Sequence, residues 1–148
     1  MQRLKNLILP LLRQGLSEHR AASALALGIA IGVFPIYGMS TLLAGAVGVL
    51  FKMNLPILLA GMYAMTWVKP LLILPYLRLG ESLFGASRMT ISLTELSRRF
   101  AEDAWSTLHE FGWSFLHAIS GWMITLPLIL LLGHRLFLMT IRTWQARA

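Results

Sequence analysis

Three long stretches of this chain carry almost no charge, and they limit its possible folds more than any other feature. Ala21 to Phe51 contains no Asp, Glu, Lys, Arg or His. Met53 to Leu77 contains only Lys69, and Phe111 to Gly133 has His117 as its one titratable basic side chain. A helix needs about 20 predominantly apolar residues to cross a hydrocarbon layer of about 30 Å, and each stretch is long enough. A soluble domain of 148 residues could not hide all three. The expected class is therefore an all-α integral membrane protein, with Pro/Gly-broken transmembrane or re-entrant helices and amphipathic interfacial helices beside them. Charged residues at 13%, against about 25% in soluble domains, agree with this.

The length leaves room for one helical membrane domain and no separate soluble enzyme. The absence of cysteine excludes disulfides, thiolate chemistry and Cys-ligated zinc. A net charge of +7 could suggest nucleic acid, but the basic residues flank apolar blocks instead of clustering. At membrane ends such side chains meet anionic headgroups and set orientation, so membrane lipids are the expected partners and nucleic acid is not.

Residues 1–20 place Leu4, Leu7, Ile8, Leu11, Leu12 and Leu16 at helical spacing on one face, with Arg3, Lys5 and Arg13 outside it. This predicts a basic amphipathic helix in the membrane interface, with a partner-binding helix as the alternative. Its apolar core is short, holds Pro10 and runs into Arg13, unlike a cleavable signal. Residues 142–148 form a basic tail. Arg135, Arg142 and Arg147 match the basic N-terminal segment, so the positive-inside rule puts both termini in the cytoplasm. That requires an even number of crossings, which three plain spans do not give.

The broken hydrophobic segment 21–51 would be roughly 46 Å long as one straight helix. Pro35 and Gly38 sit near its middle in Val33-Phe34-Pro35-Ile36-Tyr37-Gly38. They predict a hairpin, with a kinked, tilted helix as the alternative. Non-helical backbone in lipid must be covered by protein or line a wet cavity. In the second hydrophobic segment, 53–77, Asn54 and Pro56 open the run while Pro70 and Pro75 interrupt its far end. Two such broken segments in succession point to a midplane site in transporter-like folds, with Pro35, Tyr37, Gly38, Thr41, Asn54 and Pro70 as its candidates. Ala24, Gly28 and Gly32, and again Ala44 and Gly48, recur every fourth residue and predict close helix packing.

Residues 78–110 form a polar and amphipathic connector. Ser92 and Glu95 make a capping box, and Leu96, Phe100, Ala104, Leu108, Phe111 and Phe115 make an apolar stripe. Glu95–Arg99, Arg98–Glu102 and Arg99–Asp103 are spaced for pairing. The C-terminal hydrophobic segment, 111–141, should kink at Pro127. Trp105, Trp113 and Trp122 suit an interfacial belt.

Chemistry-bearing patterns are sparse. His19, His109, His117 and His134 are scattered without ligand spacing, so no metal and no cofactor is expected. Ser40 and Thr41 have no His–Asp pair behind them, there is no phosphate loop, and no enzyme is expected. The remaining polar groups, including Ser40, Thr66, Lys69, Tyr76, Arg78 and Glu81, gather around the two breaks. A lysine at mid-bilayer costs about 2.5–3.5 kcal/mol, and two readings of Lys69 follow. Lys52 and Lys69 bracket roughly 24 Å of helix and could reach opposite interfaces. Alternatively, Lys69 and Arg78 cradle a lipid phosphate while Glu81 orients Arg78.

The run Ala26-Leu27-Gly28-Ile29-Ala30-Ile31-Gly32-Val33-Phe34-Pro35-Ile36-Tyr37-Gly38, followed by Thr41-Leu42-Leu43, Asn54-Leu55-Pro56, Pro70, Pro75-Tyr76 and Leu79-Gly80, resembles the bacterial membrane family called domain of unknown function 2062. That family carries an A-x-G-x-A-x-G-x-F block before a Pro/Gly turn. Here Lys69 stands where the family pattern has Asn before Pro70. The resemblance implies a multi-pass protein of the bacterial inner membrane, and a glycosyltransferase or other membrane partner, because some relatives are joined to polyprenyl-phosphate sugar transferase domains. The expected function is to bind or position a lipid or a polyprenyl-phosphate-type lipid. The rivals are a small-solute transporter subunit built as a homo-oligomer, and an accessory membrane protein without a ligand.

Overall fold

The computed structural model describes residues 16–36, 38–87 and 92–146, with Asn6 and Pro10. Among them lie seven helices longer than one turn and no strand: α1 Glu18–Gly32, α2 Met39–Leu50, α3 Leu55–Ala64, α4 Lys69–Phe84, α5 Leu93–Glu102, α6 Ala104–Glu110 and α7 Gly112–Gln145. The expected all-helical class is found. The interfacial helix expected over residues 1–20 falls almost wholly outside the described residues, as do Tyr37 and Arg147.

Local chemistry sets most boundaries. Ser17 caps α1, its hydroxyl accepting from the Arg20 amide at 3.3 Å. The chain leaves the helix at Val33, and Gly38 takes a φ of +80°, a conformation that costs glycine nothing. Segment 21–51 is thus two helices around a non-helical break, not one kinked helix. Asn54 caps α3 by accepting from the Ile57 amide at 3.2 Å, and Pro56 sits in the first turn.

The second segment departs from expectation. Its break falls at residues 65–68, where α3 and α4 meet at 82°. Pro70 opens α4, where its missing N–H leaves no helical bond unmade. Pro75 stays inside that helix, so the helix continues to Phe84 and the polar connector starts only beyond it.

In the connector Ser92 caps α5, accepting from the Glu95 amide at 3.2 Å. Arg98 pairs with Glu95 at 2.8 Å and with Glu102 at 2.6 Å, and Arg99 pairs with Glu95 at 2.8 Å. Hydrogen bonds from Arg98 and then Arg99 hold the Glu95 carboxyl down to about 2. The expected Arg99–Asp103 pair does not form. Asp103 instead caps α6, accepting from the Trp105 and Ser106 amides at 3.1 Å, and Arg99 reaches Glu110 at 3.3 Å. This cap splits the predicted stripe into two helices and leaves Ala104 exposed.

Helix α7 is long and apolar enough to cross a membrane over Gly112–Trp144, and it passes through Pro127. Helices α3 and α4 qualify together only as one bent span. Helix α1 packs between α3 and α7, and α4 packs on α7. Both contacts depend on missing side chains. A Cβ on Gly28 would strike the Leu58 carbonyl, and one on Gly61 would lie 2.7 Å from the Leu25 carbonyl oxygen. Across α4 and α7, Gly80 abuts the His117 carbonyl while Gly121 abuts that of Tyr76.

Helices α1 and α7 run antiparallel. Glu18 meets Arg142 at 3.1 Å near one end, and the Trp122 indole N–H donates to the Ala30 carbonyl at 2.8 Å near the other. Trp122 is therefore a core residue, packed edge-on against Phe34, not part of an interfacial belt. Trp105 and Trp113 are exposed. One apolar core joins Leu25, Ile57, Leu58 and Ile141, and a second lies under the break around Phe34, Tyr76 and Trp122.

Candidate functional site

The two breaks are tied together by one side chain. Lys69, buried at the start of α4, donates to the Ile36 carbonyl at 3.1 Å and to the Ser40 hydroxyl at 2.8 Å. A turn between two short helices leaves carbonyls without helical partners, and an unpaired one inside an apolar core costs about 1–3 kcal/mol. The lysine supplies the missing donor. It lies in the protein interior.

The other predicted residues are dispersed. Pro35 is fully buried at the break and Gly38 makes its turn. Thr41 is exposed on α2, Pro70 is exposed beside Lys69, and Asn54 caps α3 beyond the far end of α2. Arg78 pairs with Glu81 at 2.7 Å, the carboxylate buried and the guanidinium partly exposed. Because α4 is unbroken, Lys69 and Arg78 lie about 13.5 Å apart along it and about half a turn apart around it. The structure brings Arg78 to Glu81 but does not bring Lys69 and Arg78 to one pocket.

A larger concavity lies elsewhere. A groove of 660 Å³ runs between Ser23, Ala26 and Leu27 of α1, Phe51 and Met53 of the α2–α3 turn, and Pro127, Leu130, Leu131, His134 and Arg135 of α7. Beside it a depression of 220 Å³ shares Ser23, Phe51 and Met53 and adds Leu16, His19, Arg20, Lys52 and Asn54. Ser23 Oγ and His134 Nδ1 are 3.2 Å apart, and the His19 and His134 rings stack at 5.5 Å. The result is an apolar trough whose lining includes Arg135, beside a mouth, the adjoining depression, lined by Arg20 and Lys52. Among the described residues, no group of three His, Asp or Glu side chains could hold a metal ion.

Sequence reasoning missed this site. Arg20, Lys52 and Arg135 each stand next to an apolar run, and each was legible only as a separate headgroup contact. That they line adjoining hollows depends on α1 packing against α7.

All 148 residues match a bacterial family described as "Uncharacterized protein conserved in bacteria (DUF2062)". The chain belongs to this family. No curated protein and no solved structure matches it. The structure gives the DUF2062-like block Ala26–Phe34 a physical role. Gly28 and Gly32 admit the backbone of α3, the latter with a Cβ position 2.6 Å from the Met62 carbonyl oxygen. Ala30 lends its carbonyl to Trp122, and Phe34 opens the break that Lys69 satisfies.

Proposed function

We propose that this DUF2062 protein resides in the bacterial inner membrane and holds a single lipid in the groove between α1 and α7. The groove itself carries the reading. It is mostly apolar, it is open, and its volume falls within the about 300–1,000 Å³ usual for small-molecule sites. Its charged mouth lies on the Glu18–Arg142 side of the molecule, where a headgroup would meet it. The proposed catalytic role is none: the protein binds and positions.

The matching topology has two crossings, the bent α3–α4 pair and α7, with α1 and α2 forming a re-entrant hairpin from the same side. The Glu18–Arg142 contact supports it, because the start of α1 and the end of α7 then share one face. Arg20, Lys52, Arg135 and Arg142 favour the cytoplasm for that face. A reporter active only in the periplasm, fused after Ala148, should stay silent; strong activity would refute this orientation.

Lipid holding is tested by native mass spectrometry of the detergent-extracted protein. The wild type should retain one lipid. Leu27→Trp, which fills the trough, should lower occupancy by about tenfold, equivalent to about 1.4 kcal/mol. Leu27→Met, of similar volume, should retain it. A wild-type protein that carries no lipid would defeat the proposal.

A further inference from the structure

We infer that the occupant of the groove is a phospholipid whose phosphate is a monoester, read by Arg20, Lys52 and Arg135. This rests on the lipid-holding reading and adds the chemistry of the headgroup. The distribution of ion pairs carries it. Among the described residues, Arg78, Arg98, Arg99 and Arg142 each have a carboxylate within 4.0 Å. Of the two described arginines without one, Arg20 lines the depression and Arg135 the groove beside it, and Lys52, also without a carboxylate within 4.0 Å, lines the depression. Glu18, the nearby acid, is engaged by Arg142.

These three cations thus line adjoining hollows, Ser23, Phe51 and Met53 being common to both, and no carboxylate lines either. A zwitterionic headgroup would bring its own cation into that field. A phosphate diester supplies one negative charge, whereas a monoester supplies up to two and three free oxygens for charge-assisted contacts. The trough beside the mouth accepts an acyl chain, which free phosphate lacks.

Lys52 adds an independent indication. Its φ is +49°, in the left-handed region that disfavours L side chains by about 1–2 kcal/mol. It ends α2 in a tight turn in which the Met53 amide donates to the Gly48 carbonyl at 2.8 Å. Glycine would suit that turn better, so a lysine there is consistent with a side chain in use.

The test uses the full chain, delipidated in neutral detergent and given phosphatidic acid or phosphatidylcholine with identical acyl chains. Retention is read by native mass spectrometry. The wild type should retain phosphatidic acid about tenfold better, and excess inorganic phosphate should not displace it. The Lys52→Met/Arg135→Gln variant should lower phosphatidic acid to the phosphatidylcholine level, while Arg98→Gln on α5 should change nothing. Lys52→Gly separates site from fold: thermal stability should hold or rise while phosphatidic acid retention falls about threefold or more. Equal retention of both lipids by the wild type overturns the headgroup inference and leaves lipid holding intact. Retention of neither overturns both. A preference that survives the double variant, or displacement by inorganic phosphate, overturns the assignment of these residues to a lipid phosphate.

Discussion

Gly28→Ala should destabilise the protein by about 2–3 kcal/mol, although in most helix interiors the same change is favourable by about 1 kcal/mol. The reversal follows from what the new methyl meets. At Gly28 it would strike the Leu58 carbonyl and lie 3.1 Å from the Met62 amide nitrogen. Both are backbone atoms of α3, and backbone cannot step aside as a side-chain tip can. Helices α1 and α3 would have to separate, loosening the contacts of Leu25, Ile57 and Leu58. Gly45 on α2 is the internal control, since nothing lies within 4 Å of its Cβ position. Gly45→Ala should therefore stabilise by about 1 kcal/mol. Thermal unfolding in detergent compares the two, and a shift of the same sign for both would contradict the close α1–α3 approach.

Lys69→Met should cost about 2–4 kcal/mol, because it removes the donor shared by the Ile36 carbonyl and the Ser40 hydroxyl in a buried setting. Methionine has similar length, so lost volume contributes little. The loss should appear locally as faster proteolysis within residues 33–38, and globally as a lower unfolding temperature. Adding Ser40→Ala should recover part of the loss, since one stranded polar group then disappears. Lys52→Met, at an exposed position, should shift stability by about 0.5 kcal/mol or less. Two lysines acting only as interfacial anchors would give equal, small effects.

These expectations separate what the sequence carried from what it could not. The break after Val33 was legible because Pro35 and Gly38 act through their own backbones. So was the cap at Ser92, whose side chain accepts from the amide three residues on; Asn54, read as a midplane-site candidate, caps α3 instead. The turn at residues 65–68 was not, since Met65-Thr66-Trp67-Val68 contains neither proline nor glycine. Pro70 pointed near it for the wrong reason: a proline opens a helix as readily as it ends one.

Partners distant in sequence were the other blind spot. Lys69 finds Ile36 across 33 positions, and Trp122 finds Ala30 across 92. The indole belongs in the core because Ala30 lies near the end of α1, where carbonyls run out of helical donors. Its amphipathic character, read alone, suggested an interface. The groove fails in the same way, as no local pattern announces that α1 and α7 will lie side by side.

The contact between Glu18 and Arg142 has a further consequence. With side chains 31% and 59% exposed, it belongs to a class of pairs worth about 0–1 kcal/mol, so its interest is geometric. It works as a clasp that holds the first turn of α1 and the last turn of α7 at one face of the molecule.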